Sequence, residues 1–170
     1  MIDQIVRPDE RSRLGMRFFQ DRSIDVAQNL LGRTIVTKAQ NQTERMGIIR
    51  EVAAWQGAED SSAPTIRYHP GIVGVSQRYG HFLLDIGTGY QGRPSCVTII
   101  GLYTPEGFRN GPGKVTKHLG IDKDFDSMPI DTDALWIGGD KVESERIIQR
   151  LKQAPANCKG YFYFNDCLIT

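Results

Sequence analysis

Cysteine is scarce in this chain. The three that occur, Cys96, Cys158 and Cys167, form an odd set with no CxxC spacing and sit in apolar surroundings. A disulfide frame is therefore not expected, and reduced residues of a cytosolic chain are. Histidine is as rare: His69, His81 and His118 are dispersed, with no carboxylate or cysteine at ligand spacing, so no metal is implied. No apolar run approaches the length of a membrane span, and the opening "MIDQIVRPDERSRLG" has no apolar h-region. These absences predict an unsecreted protein without a membrane segment. There is no repeat, low-complexity tract or linker, and 170 residues of ordinary apolar content fit one domain, residues 1–170.

A strong overall charge is also missing. The formal net charge is +1, which argues against a uniformly basic protein. Residues 61–121 nevertheless hold six basic side chains (Arg67, Arg78, Arg93, Arg109, Lys114, Lys117) against two acids (Asp85, Glu106), a net of +4, while the rest carries −3. The middle third can present a basic face to phosphates, or the cluster is chance among solvated side chains.

What is present reads as alternating strands with a few helices. "SIDVAQNLLG" (23–32) predicts a short helix with Ser23 as N-cap and Gly32 closing it. "RTIVTK" and "GIIREVAAW" read as a hairpin about "AQNQTER". "GHFLLDIG" and "SCVTIIGLY" are two more strands, and "GPGKVTKHLG" a helix with Pro112 at its start and Gly120 as its stop. A strand "ALWIGG", a helix "ESERIIQRLKQ" and two short strands in "GYFYFNDCLIT" complete the reading. The class is α+β: a mixed, largely antiparallel sheet with packed helices.

Four features can carry chemistry. In "GIIREVAAWQGAED", alternation puts Glu51, Ala53 and Trp55 on one strand face. An acid, a gap and an aromatic wall in a row form either an active-site floor or a small-residue gap for a neighbouring helix. In "FRNGPGKVTKHLG", Gly111 and Gly113 flank a proline at a helix start, with Lys114 and Lys117 in its first turns. That arrangement either holds an anion or merely caps itself. The spacing G-x-x-x-x-G-K fails at Phe108 and Val115 follows Lys114, so a nucleotide cofactor is unsupported. Asp85, inside the apolar run "HFLLDIGTG", either faces solvent or is buried with a raised pKa suited to a general base. In "SQRYGH" (76–81), Tyr79 before Gly80 and beside Arg78 projects as a wedge or is an ordinary turn residue.

In this order the segments "FFQDRSIDVAQNLLGRTIVTK", "GIIREVAAWQGAED", "PGIVGVSQRYGHFLLDIGT", "NGPGKVTKHLGID" and "GYFYFNDCLIT" resemble the alkyladenine (3-methyladenine, methylpurine) DNA glycosylase family nearly end to end. The resemblance implies a curved sheet with a protruding DNA-wedging hairpin. It also implies duplex DNA with a damaged or flipped base as partner, hydrolysis of a purine N-glycosidic bond in base excision repair, no cofactor, a monomer, and a cytoplasmic place (nucleoid-associated if bacterial). The family pattern I-x-E-T-E-A-Y-x-G-x-E-D lies without gaps on "IREVAAWQGAED", and its water-activating Glu falls on Ala53. Asp85, first, and Glu51, second, are then the candidate catalytic carboxylates. Ala53, Trp55, Pro64, Ser76 and His81 would form the base pocket. Tyr79, Arg78, Gly111, Gly113, Lys114 and Lys117 would contact DNA. The alternative is a catalytically inactive member that only binds damaged DNA or another nucleic acid.

Overall fold

The computed structural model describes residues 5–57, 69–89, 95–141, 147–153 and 158–165. Its centre is the hairpin of β1 (Thr34–Lys38) and β2 (Glu44–Gly57), followed by β3 (Val73–Arg78), β4 (His81–Thr88), β5 (Ser95–Thr104) and β6 (Gly107–Asn110). Then come β7 (Leu135–Gly138), β8 (Ile147–Gln153) and β9 (Cys158–Asn165). The sheet runs β3-β4-β5-β2-β1-β7, with β6 added to β5 and the β8–β9 pair added to β2. Every pair among the described strands is antiparallel. The α+β class and the curved antiparallel sheet expected from the sequence are what the chain forms.

Strand β2 is long enough to carry two partners in succession on one edge: β1 along Glu44–Ile48, then β9 along Glu51–Gly57. Strand β5 follows the opposite edge. Between the two halves the β2–β5 register slips, leaving Arg50 and Ile100 unmatched. The slip is a bulge, and it reverses which parity faces inward. Ile49 and Val52 both enter the core although they are three apart, and so do Ile99 and Leu102 across from them. Beyond the bulge Val52 and Ala54 face the core while Ala53 and Trp55 take the other face, as alternation in the sequence requires.

Helix α1 (Ser23–Leu30) buries Val26, Ala27 and Leu30 against that core. Its start differs from expectation. Arg22 is the N-cap and its carbonyl accepts from Val26 N–H at 2.9 Å, so Ser23 is already helical and its buried Oγ has no hydrogen-bond partner. An Arg22–Asp25 ion pair of 2.7 Å supports the first turn instead. Helix α2 (Pro112–Leu119) begins and ends as read, with Pro112 in the first turn and Gly120 left-handed at the C-cap.

One expectation at the end of the chain is corrected. "IIQRLKQ" is strand β8, not the end of a helix, and residues 142–146 lie outside the described part. Apolar residues at 147, 148 and 151 suit either period. The adjacent β-branched Ile147 and Ile148 prefer a pleated strand, and β9 offers an edge to pair with. The first of the two strands read in the closing segment is β9, which runs through Asn165, and the second lies outside the described residues. No described helix is long and apolar enough to cross a membrane.

Candidate functional site

The outward face of β2, β5 and β4 carries a row set by register. Ala53 lies opposite Thr98, Thr98 opposite Asp85, and Asp85 opposite Gly74 of β3. Directly paired residues share a face, so these side chains stand side by side. Asp85 is buried, with 7% exposure. The Thr98 hydroxyl donates to Asp85 Oδ1, and the same hydroxyl oxygen accepts from the Trp55 indole Nε1–H at 2.9 Å. One polar chain thus joins the aromatic wall to the carboxylate across three strands. Burial pushes the Asp85 carboxyl up to about 6, with the Thr98 hydrogen bond and the Arg78 charge opposing that rise. Of the two readings open from sequence, the buried acid is the one found.

Trp55 pairs with Cys96, two residues beyond the Ala53–Thr98 pair. The indole therefore reaches Thr98 by leaning back diagonally toward the row of Ala53. Ala53 itself is fully buried. Glu51 is also buried, on the same face just past the bulge, with its Cβ close against Gly101: a methyl placed on Gly101 would stand 3.0 Å from it. Asp85 is two strand spacings from Ala53, about 10 Å, and Glu51 about 6 to 7 Å along the strand. Ser76 is on the same strand face as Gly74, half-buried. Pro64 lies outside the described residues.

The second assembly is the tip of the β3–β4 hairpin against the start of α2. Arg78 pairs with His81, leaving a two-residue turn of Tyr79 and Gly80 with φ of 51° and 77°. This is the geometry that favours Asn-Gly, and placing a tyrosine there costs about 1 kcal/mol or more. Tyr79 is 99% exposed, so no packing offsets that strain. His81, behind it, closes on Gly113: a Cβ there would lie 2.9 Å from His81 Cβ and Cγ. The Thr116 hydroxyl bonds Phe82 O at 3.0 Å. Hairpin tip and helix start are thereby held together, with Lys114 and Lys117 exposed on α2.

The glycines of the helix start have separate reasons. Gly111 has φ 115°, a conformation closed to other residues, and Gly113 makes room for His81. Gly111 N–H bonds Ile100 O at 2.9 Å, which ties the helix start to the bulge in β5. Among the residues named from sequence, the structure therefore makes two groups: Asp85, Trp55 and Ala53 on the sheet face, and Tyr79, Arg78, His81, Gly111, Gly113, Lys114 and Lys117 around the hairpin. His81 belongs with the hairpin by its contact. Thr98 went unnoticed in the sequence; a threonine in "CVTIIG" gives no signal until register puts it between Ala53 and Asp85. Among the described residues no three His, Cys, Asp or Glu side chains gather in a metal-holding group.

The model of the family described as methylpurine-DNA glycosylase matches residues 17–152. The Homo sapiens protein named DNA-3-methyladenine glycosylase is 29% identical over 163 residues, 74% of this chain but 54% of its own length. A Clostridium novyi (strain NT) protein named "Putative 3-methyladenine DNA glycosylase" is 28% identical over 173 residues, covering 81% of this chain and 85% of that one. A Gloeobacter violaceus protein of the same name is 26% identical over 164 residues, 82% and 76% of the two chains. This chain thus spans about half of the human relative and most of the bacterial ones. Since the family match covers most of the chain, including the β2 strand, the β3–β4 hairpin and the start of α2, the chain belongs to the methylpurine-DNA glycosylase family.

Proposed function

We propose that this protein binds duplex DNA, flips a damaged purine out of the stack and hydrolyses its N-glycosidic bond with a rebuilt active site in which Asp85 replaces the carboxylate absent at Ala53. The observation that carries the reading is the Trp55–Thr98–Asp85 chain. It sets a carboxylate with a pKa near neutrality beside an aromatic wall, on the face where the family's chemistry is expected. At pH 7 such an acid is roughly nine-tenths ionised, yet basic enough to take a proton. A water oxygen would attack C1′ of the flipped nucleotide as the C–N bond breaks, its electron pair leaving with the base and the water proton passing to Asp85. Glu51, nearer to Ala53, is the second candidate for that proton.

Binding would rest on the hairpin and α2. An exposed tyrosine held in a left-handed turn is shaped to enter the space vacated by a flipped base. Arg78, Lys114 and Lys117, with the backbone N–H groups at the Gly111–Gly113 helix start, suit phosphates on either side. The buried Ala53, with no carboxylate of its own, favours a second reading: a catalytically silent member that holds damaged DNA through the same surface.

The deciding experiment is single-turnover base release from duplexes bearing hypoxanthine, ethenoadenine or a methylated purine, with protein in excess and Asp85→Asn in parallel. Release that disappears in the variant supports the relocated carboxylate. Release that is unaffected keeps the glycosylase and removes Asp85 from its chemistry. Tight binding without release from any lesion establishes the silent reading.

A further inference from the structure

We infer that Thr98 is the positioning residue of this site, one hydroxyl fixing both the stacking face of Trp55 and the carboxylate of Asp85. The inference rests on the functional reading above and goes beyond it, since nothing in the family pattern points to this threonine. A hydroxyl has one proton and two acceptor directions. Here the proton goes to Asp85 Oδ1 and an acceptor direction takes the Trp55 indole N–H at 2.9 Å, so its orientation is fixed from both sides. Thr98 is itself buried and held at the centre of the sheet by backbone pairing to β2 and β4. A β-branched side chain there has few rotamers to lose.

Two consequences follow for the reacting groups. Asp85 Oδ1 is engaged by Thr98, so a proton taken from water would go to the other oxygen, Oδ2. Trp55 is drawn back toward the row of Ala53, where a longer side chain would compete for the same space. A threonine bridge and a small residue at 53 therefore belong together: the alanine admits the diagonal indole and the threonine holds it. Nearest to Asp85 in the register, alternation puts Arg78 of β3, His81 of β4, Cys96 of β5 and Glu51 of β2 on the same face, with Tyr103 of β5, Glu44 of β2 and Lys38 of β1 farther along it. Arg78 stabilises the ionised form, as Thr98 does.

The test compares Thr98→Val, which keeps the shape and loses the hydroxyl, with Thr98→Ser, which keeps the hydroxyl. Carboxyl-carbon NMR follows the titration of Asp85, assigned with Asp85→Asn. The indole Nε1–H resonance of Trp55, assigned with Trp55→Phe against Trp136, follows the wall. In Thr98→Val the Asp85 midpoint should move above its wild-type value near 6, the Trp55 N–H should shift and exchange faster, and base release should fall roughly tenfold. Thr98→Ser should restore all three. If Thr98→Val does not fold, Thr98→Cys, a weak donor of similar volume, should move the titration in the same direction. An unchanged Asp85 midpoint and Trp55 resonance in the variants, or a serine variant no better than valine, overturns the inference. Should the NMR changes occur while the wild type releases no base from any lesion, the bridge stands and the hydrolytic reading falls.

Discussion

Replacing Asp85 by asparagine should stabilise the protein at neutral pH while removing its proposed chemistry. The buried carboxyl ionises near pH 6 in the folded chain against 3.8 as its ordinary value. Between those values the folded state holds more protons than the unfolded state, so stability falls as pH rises through the window and is level above it. A shift of about two units corresponds to about 3 kcal/mol of differential stability, a large part of the 5–15 kcal/mol typical of a domain. Asparagine does not titrate, and its side-chain oxygen still accepts from Thr98. Any constant difference between the two proteins cancels when both are compared across pH. Urea unfolding at intervals from pH 4 to 7.5 should show the Asn variant gaining on the wild type by about 2.4 kcal/mol, nearly all of it between pH 4 and 6.5. Parallel curves over that range would refute the premise that Asp85 is ionised in a desolvated place, and with it the argument for a general base.

Other changes should act on the binding surface. Tyr79→Asn relieves a strained turn at a fully exposed position, so it should leave stability unchanged or raise it by up to ~1 kcal/mol while abolishing preference for a lesion over undamaged duplex; thermal melts and competition binding check both. Lys114→Ala and Lys117→Ala should weaken duplex binding irrespective of sequence, each lowering the slope of log affinity against log salt by about 0.9 if its lysine neutralises one phosphate. Gly113→Ala should cost about 1–3 kcal/mol in urea unfolding despite alanine's helix preference, since the new methyl meets His81 near its backbone end. Ala53→Glu should destabilise by a similar amount and not raise base release; faster release would mean that position 53 simply lacks its acid and that Trp55 yields the space.

Much of the architecture was legible because local chemistry and fold agree. Pro112 and Gly120 bracket α2, and "AQNQTER" joins two alternating runs. The misreadings lie where local pattern is ambiguous. Ser23 has the chemistry of an N-cap, but the chain turns helical one residue sooner, and Ile147–Gln153 fits a helical period until a neighbouring strand offers it hydrogen bonds. The candidate site was half legible. Glu51, Ala53 and Trp55 share a face by alternation alone, and Tyr79 stands out beside a glycine. The burial of Asp85 was not readable, because it depends on which residue of another strand lies opposite. The same holds for Thr98, whose role exists only through the β2–β5–β4 register.

The bulge at Arg50 and Ile100 links the two halves of the site, and it accounts for why they occur together. Without it, strict alternation from the core residue Ile49 would carry Glu51, Ala53 and Trp55 inward and bring Val52 and Ala54 out. The slip reverses that parity at the point where the polar face begins. On β5 the same slip leaves Ile100 unpaired to β2, and its carbonyl receives the Gly111 N–H that starts α2. Helix α2 in turn packs its Gly113 against His81 and its Thr116 hydroxyl on Phe82 O, fixing the tip of the hairpin that carries Tyr79. A single irregularity in the sheet therefore turns the Trp55–Thr98–Asp85 row away from the main core and sets the position of Tyr79 relative to it. Substitutions that shift this register should impair lesion recognition and the titration of Asp85 together, although they touch neither group.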